Sequence, residues 1–364
     1  AFAELRAPLF GPDNRRAGLE RLEISAAVRH EAYGGSVSST DPKLGVIWSP
    51  ARGATLKASY GTSFRAPALT ELNDPAIFAP TILPNGGAQV ISMLLYGGNL
   101  DLKPETARSK ALTLDLAPPA WPAFKASATL YETRFANRIG QPGRENLLTV
   151  LSAAEFAPFR SFVSPLTSPA DRALIQSMID APNSYAKGVF ATESYGAIVD
   201  ARLVNTGQVL VRGLDVNAQY AARLGQDPLM LSATASWLMD YDRKVTRASQ
   251  AVDLAGRVAN PADLRLRARA AWTHGPVTTS LSVNHVGDLD DAPGAKIGAW
   301  TTADLNLSYT PADPRLDGLT IGLNLANLTD ADPPFYNSAL GLAYDPTNAS
   351  PIGRTVTLLL TKRW

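Results

Sequence analysis

The sequence predicts an all-β protein, an antiparallel transmembrane β-barrel of which about thirteen strands lie in this chain, and three observations predict it. Segments that alternate apolar and polar residues recur along the whole length, the mark of strands with one apolar and one polar face. The connections between them alternate short and long, as expected when turns gather at one membrane surface and loops at the other. The last segment, 352–364 (IGRTVTLLLTKRW), sets Val356, Leu358, Leu360 and Trp364 on one face against Thr355, Thr357, Thr361 and Arg363 on the other, and stops on an aromatic. A lipid-facing strand places such an amphipathic ring at the headgroup level.

Composition removes the competing classes. Hydrophobic residues make up 45% of the 364, yet there is no run of about 18 apolar residues, which excludes a helical membrane protein. A net charge of +1 without long basic runs leaves no electrostatic footprint for nucleic acid. There are no cysteines, and the only imidazoles are His30, His274 and His285. These three are scattered. No Ser, His and acidic arrangement and no metal-spaced ligand pair can be drawn from them, so no catalytic site, metal site or resident cofactor is expected. An outer-membrane barrel enzyme is the rival outside transport. Ala1 opens neither on methionine nor on a charged and apolar leader, so the sequence is expected to begin inside something longer or after processing.

Taken in order, Phe2 to Leu9 reads as a short strand before the turn cluster at 11–14. Leu22, Ile24, Ala26 and Val28 then oppose Glu23, Ser25, Ala27 and Arg29; Leu44, Val46 and Trp48 oppose Lys43, Gly45 and Ser49; Leu56, Ala58, Tyr60 and Phe64 oppose Thr55, Lys57, Ser59, Gly61 and Arg65. Strands at 112–116, with Thr113 and Asp115 polar, and at 124–135 flank a tight turn at 118–123. Further strands are read at 214–220, with Asp215 polar, at 229–237 and at 264–272, where Arg265, Arg267 and Arg269 share one face. Three arginines on a lipid face would be very costly, so that face is wet or paired. Strands at 279–285, at 303–309 with Asp304 polar, at 319–325 and at 352–364 complete the set. The long connections are 65–106, 141–204, 242–260, 287–299 and 327–351. With the last strand running toward the short turns, thirteen strands put Ala1 on the long-loop side. Bacterial single-chain barrels have an even number, so an odd number of strands is expected to lie outside this sequence, unless the count is off by one.

The 141–204 connection contains SPADRALIQSMIDA at 168–181. Ser168 suits an N-cap, Pro169 the first helical position and Asp171 the N3 acceptor, while Leu174, Ile175, Met178 and Ile179 share a stripe. A short amphipathic helix is expected there, either filling a gap at the barrel mouth or acting as a lid over a ligand.

The words SYGTSFRAPALTEL (59–72), NLDLKPETARS (99–109), YETRFANRI (131–139), NTGQVLVRGLD (205–215), NLANLTDADPPF (324–335) and the terminal GR…W resemble TonB-dependent outer-membrane receptors, in the C-terminal half of their barrel. The resemblance runs through essentially the whole chain. It implies a barrel of roughly 22 strands around an N-terminal plug, with about nine strands, the plug and the TonB box outside this sequence, in another chain, in a cleaved fragment or in a part of the protein that the sequence leaves out. It implies a place in the outer membrane of a Gram-negative bacterium and energy-coupled uptake of a scarce, bulky nutrient, siderophore-, vitamin- or oligosaccharide-like; a passive porin-like channel is the alternative. The implied partners are outer-membrane lipid, the plug and remaining strands, the TonB complex acting through the plug, an extracellular ligand that brings any metal with it, and the barrel-assembly machinery reading Val356, Leu358, Leu360 and Trp364.

Within that frame the site residues each have two readings. Arg65 of SFRAP either contacts an anionic ligand or satisfies loop backbone beside Phe64, and Lys103 and Glu105 fix a strand entry. Tyr185, Tyr195, Tyr241 and Tyr336, with Phe335 and Tyr344, either stack on a ligand or form an interfacial girdle. Glu23, Lys57, Asp115, Asp215, Arg265, Arg267, Arg269 and Asp304 line the lumen against plug or water, with a ligand path as the alternative.

Overall fold

The computed structural model describes residues 1–33, 37–246, 249–291, 294–337 and 341–363. Thirteen of its strands follow one another in a single antiparallel path in sequence order, and a two-residue strand, Val252–Asp253, adds to one of them. They are β1 (Phe2–Phe10), β2 (Arg21–Tyr33), β3 (Val37–Ala51), β4 (Ala54–Arg65), β5 (Glu105–Leu116), β6 (Phe124–Ala136), β7 (Gln208–Leu224), β8 (Asp227–Arg243), β9 (Leu264–His274), β10 (Val277–Val286), β11 (Trp300–Tyr309), β12 (Leu319–Ala326) and β13 (Thr355–Lys362). These are the thirteen segments that alternation predicts. Several run further than expected: β7 and β8 have 17 residues each, against the roughly 9–11 that a tilted membrane strand needs, so they continue past the apolar band. No helix of the described residues is long and apolar enough to cross a membrane.

Register sorts the two faces. Ala58 pairs with Leu112, Leu112 with Leu130, Leu130 with Leu214, Leu214 with Trp237 and Trp237 with Leu264, an unbroken apolar row across six strands. One residue away, Lys57, Thr113, Thr129, Asp215, Ser236 and Arg265 pair in the same order, an unbroken polar row. A slip of one residue in any strand would exchange the two rows, and a wall with a lipid face does not tolerate that. The connections are sorted as well: the turn at Gly53 is short, while 66–104 and 137–207 lie at the opposite rim. Gly53 has φ +81°, a Cβ there would strike the Ala117 carbonyl, and its own carbonyl accepts from Ala117 N at 2.7 Å, tying adjacent turns together.

The buried core sits in the loops, because the apolar face of the wall has no protein layer over it. Residues 66–104, expected to be a plain connection, contain a hairpin, Ile77–Asn85 and Ala88–Tyr96, turned at Gly86 and Gly87 with φ of +58° and +91°. The Asn-Gly-Gly between two apolar runs is its sequence signal. Pro80 and Pro84 are tolerated because Ile77–Asn85 is an edge strand. Ala88–Tyr96 pairs in parallel with Tyr195–Asp200, which pairs with Arg160–Phe162, so two long loops share one four-stranded sheet. Successive residues point to opposite faces: Leu94 joins Leu83, Val150, Leu151, Phe156 and Val199, whereas Met93 joins Val163, Ile175, Ile179 and Tyr195.

The helix occupies Pro169–Asp180, with the Ser168 hydroxyl accepting from Asp171 N at 3.2 Å. The Asp171 carboxylate accepts from Ser164 N at 2.8 Å instead of from the cap residue. Ile175 and Ile179 are buried and Met178 packs beside them, but Leu174 is exposed, a correction to the expected four-residue stripe. Replacing Ser168 by Ala is expected to remove about 1 kcal/mol of local stability. Hydrogen exchange of the first helical turn, accelerated several-fold with the wall amides unchanged, is the measurement; equal protection in the variant would remove the cap's role.

Candidate ligand site at the long-loop rim

Four of the recognisable words meet at one junction. Glu105, at the start of β5, accepts from Arg65 Nε at 2.6 Å through one carboxylate oxygen and from Ile139 N at 2.6 Å through the other. Arg65, at the end of β4, also donates to both oxygens of Glu71 at 3.0 and 3.1 Å, in the short helix Leu69–Asn73. Asn205 accepts from Lys103 N at 2.7 Å and donates to the carbonyls of Lys103 and Asn137 at 2.7 and 2.8 Å. Thr206 donates to the Arg138 carbonyl through both N–H and hydroxyl. Both sides of the Arg65 guanidinium are therefore held by carboxylates, and the junction accounts for this arginine as a loop organiser. Burial pushes the Glu71 carboxyl up, but hydrogen bonds from Arg65 and from Ala68 N outweigh it and hold it below the usual carboxylate range.

Beside the junction is a cleft of about 140 Å³ lined by Arg138, Ile139, Glu145, Thr206, Tyr241, Arg243 and Lys244. Strand parity brings Tyr241 and Arg243 into it from β8, on the polar face with Val209 and Val211 of β7. Asn137, at φ +55°, turns the chain out of β6 so that Arg138 follows at the cleft edge. Arg138, Arg243 and Lys244 form no ion pair among the described residues, so three cations face a small cleft whose one carboxylate, Glu145, accepts from Gln141 N at 3.1 Å. Sequence reading missed these three cations, because Arg138 and Lys244 lie in connections that follow no period and Arg243 is the last residue of a strand longer than the alternation showed; their only signals were the Asn-Arg and Asp-Arg-Lys runs at the strand ends.

Of the aromatics singled out in the sequence, Tyr241 lies in this cleft and Tyr185 stands 72% exposed on the loop sheet. Tyr195 is 2% exposed, its ring edge-on to Phe190 in the loop core, with no open face for a ligand. Tyr336 packs against Ala262, Leu289 and Ile297.

The residues expected on the lumen wall share the polar face. Glu23 is held by Arg6 and by Arg21 at 2.8 Å, and Lys57 pairs with Asp115 at 2.6 Å. Asp215 accepts from Ser236 at 2.7 Å, and Asp304 accepts from Asn284 at 2.8 Å and Asn327 N at 3.0 Å. Arg265 donates to Asn348 at 2.6 Å and Arg269 to Ser280 at 3.3 Å, whereas Arg267 has no side-chain partner among the described residues. Asn348 also accepts from Ala262 N at 3.0 Å, so the last long loop is clasped to the entry of β9. Val356, Leu358 and Leu360 are exposed on the apolar face of β13; Trp364 lies outside the described residues.

A sequence-ordered antiparallel meander, with one apolar and one polar face and with turns and loops sorted to opposite rims, defines an outer-membrane β-barrel wall. The family model for the TonB-dependent receptor-like β-barrel matches residues 2–328, and the chain belongs to that family. Among solved structures, it is similar to a mutant of the ferric enterobactin receptor of Pseudomonas aeruginosa, at 17% identity and a TM-score of 0.62, covering 99% of this chain and 44% of that one. It is similar to the siderophore receptor PirA of Acinetobacter baumannii at 14% identity and a TM-score of 0.66, covering 99% and 45%. The FrpB iron transporter of Neisseria meningitidis aligns at 13% identity and a TM-score of 0.55, covering 99% and 44%. The chain thus spans less than half the length of these relatives. A search of curated protein sequences finds no match.

A depressed carboxyl stabilises the fold above the unfolded glutamate's pKa and loses that contribution as pH falls through the folded value. The Leu69–Asn73 segment is therefore expected to loosen only below the usual glutamate range. Hydrogen exchange of this segment, corrected for intrinsic rates, reads it, and Glu71→Gln is expected to flatten the pH profile there. A profile identical in the two proteins would contradict the clamp.

Proposed function

We propose that this chain is the loop-bearing barrel portion of an outer-membrane receptor that captures an anionic, siderophore-like metal chelate and passes it inward, with energy delivered by TonB through a plug domain. The observation that carries the reading is the cleft in which Arg138, Arg243 and Lys244 stand without carboxylate partners among the described residues. Ferric chelates with acidic oxygen donors carry net negative charge, and unpaired cations at a recessed, polar mouth raise both their affinity and their rate of arrival. Family membership and solved relatives that are siderophore and iron receptors support the same class.

In this reading the cleft takes one acidic arm of the ligand, since about 140 Å³ is too little for a bulky chelate, and the body of the ligand rests in the mouth. Tyr241 offers an aromatic face beside the cations, and Tyr185 offers one on the loop sheet. Residues 141–204 form an extracellular loop, and the helix within them stiffens its sheet. Arg265, Arg267 and Arg269, with Glu23, Lys57, Asp115, Asp215 and Asp304, meet the plug across the lumen; a cation such as Arg267, left without a partner, suits an anionic group on that surface. Val356, Leu358, Leu360 and Trp364 present the signal for barrel assembly. The work is binding and conformational gating, without bond chemistry.

Equilibrium binding of a radiolabelled ferric chelate to the intact protein tests the cleft. Arg243→Gln together with Lys244→Gln is expected to weaken affinity by about tenfold or more, the scale of a lost charge-assisted hydrogen bond. Uptake by whole cells is expected to saturate and to stop when the proton-motive force is collapsed. Uptake insensitive to the uncoupler would point to a passive channel.

A further inference from the structure

The apolar face carries charge where the register leaves the lipid band. Directly above the Leu112, Leu130 and Leu214 row, Lys110, Glu132, Arg212 and Asp240 pair across β5 to β8, with Tyr60 of β4 beside Lys110. One step further up, Arg108 and Arg134 are opposed across β5 and β6, two like charges on neighbouring strands with no acid between them. Like charges placed so are unfavourable unless an anion lies between them.

The available acids do not supply it. Arg134 turns back to Glu132 at 2.9 Å, Lys110 reaches the same carboxylate only at 3.8 Å, and Arg212 is committed to Asp240 at 2.5 Å. Arg108 forms no ion pair among the described residues. Of the three exposed cations Arg108, Lys110 and Arg134, the last two thus share one carboxylate and Arg108 has none. Below them the outward face is hollowed by a groove of about 630 Å³, because Ala58 is small between Leu44, Val46, Leu112 and Leu130. Lys110, Glu132 and Arg212 line the upper end of this groove, and Arg108 and Arg134 stand one row beyond it. An apolar groove that leads to a net positive rim at the edge of a lipid-facing band matches an acyl chain with an anionic phosphate head.

We propose that Arg108, Lys110 and Arg134 hold the phosphate of an anionic lipid in the leaflet at the long-loop rim, with one of its acyl chains in the Ala58 groove. This rests on the membrane-spanning reading of the wall, not on the ligand or on TonB coupling. Ordinary snorkelling of cations to the interface would attract anionic headgroups diffusely and would not depend on the Ala58 groove.

The test reconstitutes the intact protein in nanodiscs of mixed phosphatidylglycerol and phosphatidylcholine and measures, by native mass spectrometry, the ratio of the two lipids retained. Arg108→Gln with Lys110→Gln is expected to lower the anionic-to-zwitterionic ratio about thirtyfold, taking the usual interfacial contribution of each cation. If that variant does not assemble, Lys110→Gln alone is expected to lower it about fivefold. Glu132→Gln releases Arg134 and is expected to raise the ratio, whereas a purely structural charge network would lose stability with no gain. Ala58→Phe fills the groove without touching a charge and is expected to lower the ratio as well. An unchanged ratio in the cation variants overturns the proposal. So does self-association that tracks these variants while the lipid ratio stays constant, since the groove would then be a protein contact. Failure to retain any lipid, zwitterionic included, would strike the membrane reading itself.

Discussion

Everything in this protein depends on antiparallel pairing in a fixed register. In hydrocarbon every backbone N–H and C=O must be satisfied by the protein, and an unpaired group costs several kcal/mol, so strands persist only as neighbours of strands. Because side chains alternate, the register that satisfies the backbone also decides which residues meet lipid and which meet water. The paired rows from Ala58 to Leu264 and from Lys57 to Arg265 are two readings of one set of hydrogen bonds. This is why bulky apolar side chains such as Leu44, Leu112 and Leu358 are exposed here without being a fault.

The same constraint moves the packed interior elsewhere. A wall one strand thick buries little of itself, and the large apolar residues with almost no exposure, Met93, Val150, Leu151, Ile175, Tyr195 and Val199, belong to the loops. The long loops are therefore a folded head with its own sheet, two cores and a capped helix. Its position on the wall is fixed by the junction at Glu105 and Asn205, where one Glu105 oxygen and the Asn205 amide meet backbone groups of other segments and the second Glu105 oxygen holds Arg65. A binding surface built on such a head is pre-organised, which lowers the ordering entropy that a flexible loop would lose on capture.

Charge follows burial and partner. On the polar face, acids and bases mostly find one another across strands, as in Lys57 with Asp115, or find hydroxyls and amides, as in Asp215 and Asp304. Exposed pairs of this kind contribute little to stability and serve mainly to keep the face wet and specific. Among the described residues Arg267 on the polar face, Arg138, Arg243 and Lys244 at the long-loop rim and Arg108 on the apolar face form no ion pair.

By itself the sequence determined the wall. Period two is local and so survives in the linear text: the number of strands, the face of each side chain and the sorting of turns and loops all follow from it. The helix start was legible for the same reason, since Ser168, Pro169 and Asp171 are neighbours. Where the local signal was read too simply, the structure differed, as with the Asn-Gly-Gly hairpin taken for loop and with Leu174 placed on the buried stripe. Only the tertiary structure decided the head and the mouth. The bond between Lys103 and Asn205 spans 102 residues, the parallel pairing of Ala88–Tyr96 with Tyr195–Asp200 joins two loops, and the cleft gathers cations from β8 and from the connections that follow β6 and β8. No period links such positions; they meet because the wall fixes where each loop begins and ends.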